Sequence, residues 1–170
     1  MQKYFAAWYR FRGEDRYLIW ITNESDSVVV NSDGYIPSFA SLAVLGEYAA
    51  LNHYQLENEE PDLHDLDWVA SWTASPRRRV DCEKALAAWN LFGDVANSIG
   101  ERGSAYKRLD APLNPIYQKL FWGNNLPSMT PKGKHFTPKW SAGEVRSVAE
   151  LLLAGLRMFE SSTRPWPQLE

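Results

Sequence analysis

A chain that carries YLIWIT at Tyr17 to Thr22 has to cover that strand on both sides. Side chains of an extended segment alternate between two faces, and here both faces are apolar, which places the strand inside a sheet rather than at its edge. The preceding stretch, Lys3 to Arg12, also reads as a strand. Tyr4, Ala6, Trp8 and Arg10 take one side of it, and Phe5, Ala7, Tyr9 and Phe11 the other. Gly13-Glu14-Asp15 supplies a hairpin break between the two. Asn23 to Ser27 turns the chain into Val28-Val29-Val30, and Asn31-Ser32-Asp33-Gly34 turns it again before Tyr35-Ile36. Residues 1–36 are expected to form three to four antiparallel strands, leaving a sheet face for other elements to cover.

That cover is expected to be helical, over residues 37–162. Pro37-Ser38 opens a helix, with Ser38 as its N-cap and Phe39, Leu42, Leu45 or Gly46, and Ala49 at helical spacing, ending near Asn52. Pro61 suits the start of a helical turn, and a short helix is expected from Leu63 to about Trp72. Asp81 caps a long helix running to about Gly100, with Leu86, Trp89, Phe92, Val95 or Ala96, and Ile99 as its apolar stripe. Pro112 and Pro115 break the next segment, leaving Ile116 to Trp122 as a two-turn helix. Gly123 to Lys139 is rich in Pro and Gly, basic and without periodicity, the mark of a functional or mobile loop. Ser141 and Glu144 then form a capping box for a final helix whose face is Val145, Val148, Leu152, Leu156 and Phe159. Ser161 to Pro165 ends it, and residues 163–170 read as a tail in which Leu169 and Glu170 have no role. The fold class expected is α+β: one domain over residues 1–170, with an N-terminal antiparallel sheet of three to four strands packed against four to five helices.

The 45% hydrophobic and 14% aromatic content is that of a folded chain with a real core, which rules out a disordered linker. The single cysteine, Cys82, forms no internal disulfide, which points to a reducing compartment. No signal peptide and no membrane-spanning stretch is visible, so a cytoplasmic location is expected.

Charge is distributed unevenly. Glu57 to Asp67, ENEEPDLHDLD, holds six carboxylates in eleven residues. The wider segment from Glu24 to Asp67 holds ten acids and no Lys or Arg, although the whole chain sums to only −3. Both flanks are net positive. Ordinary surfaces intersperse the two signs, and a field of one sign attracts an oppositely charged partner and speeds encounter with it.

Three readings fit the acidic stretch: a solvated surface, a metal site, or a face for a basic protein. Asp62, His64, Asp65 and Asp67 are suitable metal-ligand types, but the EF-hand spacing is missing and neither HxxxH nor HExxH occurs. His53, His64 and His135 lie on different expected elements, and no serine sits in a GxSxG elbow. Cys82 lies near a helix N-terminus, where a thiolate is favoured, although a lone cysteine on a helix is more often packing. Asn90, Asp94 and Asn97 run along a ridge beside the apolar stripe, as either a polar network that fixes packing or a ligand site. Glycine-rich phosphate loops are absent, and the basic pieces at Arg77 to Arg79 and Lys132 to Lys139 are small, so nucleic-acid binding is not expected.

Three pieces of the chain together carry a resemblance to a known family. They are the aromatic strand pair running into YLIWIT, PDLHDLDWVASW with AAWNLFGDVANSI, and KLFWGNNLPSMTP with KWSAGEVRSVAELLLAGLRMF. With these the chain resembles immunity proteins of bacterial polymorphic toxins, notably those of contact-dependent growth inhibition. The resemblance implies a small cytosolic protein, without catalysis or cofactor, that binds the C-terminal toxin domain of a cognate effector. Many such domains are nucleases with basic channels. The contact residues expected rest on charge alone: Glu57, Glu59, Glu60, Asp62, Asp65 and Asp67 toward Lys and Arg of the toxin, with Trp68 or Trp72 as an aromatic anchor. The glutamates, in a loop, are the freer of the acids, because capping gives the aspartates structural reasons to exist. The alternatives are a metal-dependent hydrolase built on Asp62, His64, Asp65 and Asp67, and an adaptor for a basic protein.

Overall fold

The aromatic hairpin lies at the heart of the sheet. In the computed structural model, which describes residues 1–167, β1 (Lys3–Phe11) and β2 (Glu14–Thr22) pair antiparallel, from Lys3 opposite Thr22 to Phe11 opposite Glu14. Arg12 and Gly13 turn the chain with φ of 53° and 72°, the left-handed pair whose twist matches the flanking strands. The turn is tighter than the expected Gly13-Glu14-Asp15 break, and Glu14 and Asp15 already belong to β2. Both faces of β2 are covered as its composition requires: Leu18 enters the larger of two hydrophobic cores and Ile19 the smaller.

The architecture is α+β, with a sheet larger and more mixed than the sequence suggests. β3 (Ser27–Val28) and β4 (Ile36–Phe39) both pair antiparallel with β2. β5 (Leu63–Asp65) adds parallel to β1, and β6 (Thr163–Trp166) adds parallel to β4. The order is β5-β1-β2-β4-β6, with β3 also on β2, so six strands replace the expected three or four antiparallel ones. The parallel partners come from chain far outside the first 36 residues, where local alternation carries no information about them.

Two local expectations change accordingly. Ile36 to Phe39 is a buried strand between β2 and β6, not the opening of a helix. Ser38 does not cap: its Oγ lies 2.6 Å from Tyr9 Oη and accepts from Arg16 Nε at 2.6 Å. The helix, α1 (Leu42–Leu51), begins three residues later with Ser41 as N-cap, accepting from Val44 N. At the other end, Thr163 to Trp166 of the expected tail forms β6, and Trp166 meets Phe39 and Tyr48 edge to face at 5.9 and 5.1 Å. Gln168, Leu169 and Glu170 lie outside the described residues.

One face of the sheet packs on α1 and Tyr54, and the other on a helical layer built from α2 (Leu66–Ala74), α3 (Cys82–Ser98), α4 (Ser104–Asp110), α5 (Asn114–Gly123) and α6 (Ala142–Ser162). Asp81 caps α3 by accepting from Lys84 N. The capping box forms at α6, with Glu144 N donating to Ser141 Oγ and Ser141 N donating to Glu144 Oε1. Helices α3 and α6 meet at Gly155, where any Cβ would collide with the Phe92 ring. Tyr9 from β1 then stands edge-on to Phe159 of α6 at 4.9 Å, which locks sheet to helices. The loop from Asn124 to Trp140 is held by Asn125, whose side chain accepts from Phe136 N and donates to Phe136 O. Among the described residues no helix is long and apolar enough to cross a membrane.

Candidate partner-binding cleft

The acidic stretch is clipped to the same edge of β1 at two points. Leu56 bridges Tyr4 in parallel register, and Glu57 N donates to Tyr4 O at 2.8 Å. Seven residues later, Leu63 to Asp65 lies against Trp8 to Arg10 as β5. Over the same interval β1 advances only four residues, from Tyr4 to Trp8, so the acidic chain carries three residues more than the edge can pair. The surplus bows outward as residues 58–62, which puts Glu59, Glu60 and Asp62 in solvent. Glu57, at the first clip, is exposed with its carboxylate 4.0 Å from Lys3 Nζ.

Past the second clip the acids are built into the scaffold. A helix from Leu63 to about Trp72 was the expectation; the chain instead stays extended to Asp65, and α2 starts at Leu66 with Asp65 as its N-cap. Asp65 accepts from Trp68 N at 3.0 Å and pairs with Lys84 at 3.2 Å. Burial pushes its carboxyl up, but the Trp68 N–H and the Lys84 ammonium outweigh that and hold it below the usual range. Asp67 reaches back across the hairpin and accepts from Arg12 N at 2.6 Å and Gly13 N at 2.9 Å. Its two oxygens thereby satisfy both backbone donors of the turn. Trp68 and Trp72 stack at 5.6 Å, but Trp72 is a buried core residue whose indole N–H donates to Arg79 O, so it is no exposed anchor. Trp68 is partly buried against the same core. With these commitments Asp62, His64, Asp65 and Asp67 do not converge, and among the described residues no group of three or more His, Cys, Asp or Glu is placed to hold a metal ion. Cys82, at the first position of α3, is buried, and burial raises its thiol above the ordinary value, opposite to the activation a helix N-terminus supplies.

Beneath the bowed loop lies a cleft of about 570 Å³ between β1, β2 and α3. Its acidic rim is Asp26, Glu59, Glu60, Asp62 and Asp94, and among the described residues no Lys or Arg lines it. Phe5, Trp20 and Tyr117 supply aromatic walls, and Ala87 and Leu91 of α3 complete the apolar side. A shallower hollow of about 370 Å³ adjoins it, sharing Asn90, Asp94 and Tyr117 and adding Asp110, again without a base. The ridge of Asn90, Asp94 and Asn97 is therefore surface lining, and it was the one sequence signal for the α3 side of the cleft. Asp26, Phe5, Trp20 and Tyr117 gave no such signal, because hairpin and helix packing alone brings them there.

Two groups in the cleft are tuned by partial burial. The Asp94 carboxyl is raised to about 7, first by desolvation and then by the Asp26 carboxylate, against the Trp20 indole N–H that donates to it at 3.1 Å. Near neutrality it is poised between its charged and neutral forms. His64 is lowered by desolvation, with Trp8 O and Asp62 acting weakly in the other direction. A carbonyl oxygen only accepts, so the His64 Nδ1 that lies 3.0 Å from Trp8 O carries the proton, and Nε2 is left as an acceptor.

No protein-family model matches the chain. Over 141 residues it is 26% identical to Protein 4.1 of Xenopus laevis, a match covering 80% of this chain and 15% of that protein. The chain thus spans about 15% of the length of that curated relative. Among solved structures, the C-terminal domain of SatS, crystallised in complex with bromine, superposes with a TM-score of 0.55 at 16% identity, covering 96% of this chain and 93% of that one. The likeness extends over nearly the whole of both chains and is one of fold.

Proposed function

We propose that this protein is a toxin-neutralising immunity protein: it acts in the cytoplasm, without catalysis of its own, by binding the basic C-terminal toxin domain of a cognate effector. The observation that carries the reading is the cleft, five carboxylates around aromatic walls with no Lys or Arg among its lining residues. Such a surface repels nucleic acid and favours a protein whose own substrate is polyanionic, because a basic substrate channel is the complementary shape of charge. A nuclease domain is the partner that fits. Glu59, Glu60 and Asp62 project from the bowed loop and steer encounter, while the cleft floor supplies the desolvated contact.

The test is capture followed by kinetics. Co-expressed toxin domain should purify with the chain, lose its activity, and associate at a rate that falls steeply with added salt. A toxin domain that stays active in the presence of excess chain sinks the reading. Capture with salt-independent association moves the interface away from the cleft.

A further inference from the structure

The donors and acceptors of the cleft are unevenly used. Three of its side-chain donors are turned inward: the Trp20 indole N–H to Asp94, the Tyr117 hydroxyl to Asn90 Oδ1 at 2.8 Å, and His64 Nδ1 to Trp8 O. The Asn90 amide nitrogen remains, but against it stand five carboxylates. What is left facing the cavity is nearly all acceptor. We infer that the cleft is a socket for one arginine side chain of the basic partner, whose guanidinium enters between the carboxylates of Glu59, Asp62 and Asp94 and the aromatic walls. This rests on the reading of the partner as a basic protein and names what it inserts.

Arginine fits better than lysine for two reasons. A guanidinium offers five donors in a planar fork and stacks on aromatic faces, whereas an ammonium is a compact, strongly hydrated point charge. The cavity, about 570 Å³, also admits the whole arginine side chain rather than its tip alone. Occupation has an electrostatic consequence at the floor. The groups facing Asp94 across the cleft are Asp26, Glu59, Glu60 and Asp62, with neutral His64 and the Tyr117 phenol, and none supplies positive charge. An arriving cation favours the charged form of Asp94 and so opposes the desolvation and the Asp26 charge that raise its carboxyl, and binding near neutral pH releases a proton.

The experiment uses N-acetyl-arginine amide as the probe, with the neutral isostere N-acetyl-citrulline amide and N-acetyl-lysine amide beside it. The Trp20 indole N–H is a built-in reporter, since it donates to the Asp94 carboxylate; its resonance is followed in the isotopically labelled full chain at low salt. The arginine amide should shift it, the lysine amide should bind about tenfold more weakly, and the citrulline amide should leave it unmoved. Asp94→Asn and Ala87→Leu, the second filling the cleft without altering its charge, should each weaken the arginine response by about tenfold or more. Glu150→Gln, on the exposed side of α6 and outside the cleft, should leave it unchanged. Equal shifts from citrulline and arginine, or an arginine response that survives both cleft variants, overturn the socket. Capture of a basic toxin domain with no arginine response rejects the socket and leaves the immunity reading standing. An arginine response without toxin capture does the reverse.

Discussion

Asp65 and Asp67 point their carboxylates at backbone N–H groups of their own fold, whereas Glu59, Glu60 and Asp62, a few residues earlier in the same acidic run, pair with no base among the described residues. The chemistry of the side chains is nearly the same on both sides of Leu63. The difference lies in where the chain is clipped to β1: past the second clip, each acid lies within reach of a turn or helix end with orphan donors. A run of like charge is thus two devices, one that organises the fold and one that the fold holds out to solvent.

Stability measurements can break that contrast. The largest loss should come from Asp67→Ala, which leaves both N–H groups of the β1–β2 turn without their acceptor and should cost about 2–3 kcal/mol in urea unfolding. Next is Asp94→Asn, with a sign that depends on pH. In the folded chain its carboxyl is held at about 7, above the unfolded value, so the folded state binds more protons through the window below neutrality. The contribution of Asp94 to stability should therefore fall as pH rises from about 4 to about 7 and then level off. The asparagine variant should escape that loss and be more stable by about 2 kcal/mol at pH 8, a figure halved for partial exposure, with no advantage near pH 4. Asp65→Ala, which removes the α2 cap and the Lys84 pair, should cost about 1 kcal/mol.

The smallest change in stability, within about 0.5 kcal/mol each, is expected for Glu59→Lys, Glu60→Lys and Asp62→Lys. Combined, these three should nonetheless slow association with the toxin domain by about tenfold at low salt and flatten its salt dependence. If the triple variant instead unfolds as readily as Asp67→Ala, the division of the acidic run into two devices is wrong. If Asp67→Ala slows association as much as the triple variant without loss of stability, the division falls from the other side.

What the sequence revealed was governed by range. The alternation of Lys3 to Phe11, the Asp81 cap and the Ser141–Glu144 box depend on residues within one turn or one hairpin, and each is found in the structure. Ser38 and Ser41 show the limit. Both are serines with apolar residues at helical spacing behind them, and the choice between them falls to β6, whose residues lie more than a hundred positions away. The same holds for β5, a parallel strand of three residues whose partner, Trp8 to Arg10 of β1, lies more than fifty positions earlier in the chain. The Pro112 break hides α4 in the sequence, although its own Tyr106 is core. For the cleft, its outer rim was visible as charge and its α3 side as a polar ridge, but Asp26 and the aromatic walls come from the crossing of elements. Burial separates Trp68 and Trp72, which are equivalent as letters.

The three surplus residues between the Tyr4 and Trp8 clips make residues 58–62 a replaceable segment. A substitution there, or a change of length by a residue or two, alters the slack without shifting the register on either side, because Leu56 and Leu63 are fixed by their own pairings. Under the proposed function, this segment is where the specificity of the rim can change while the sheet, the hairpin staple at Asp67 and the α2 cap stay as they are.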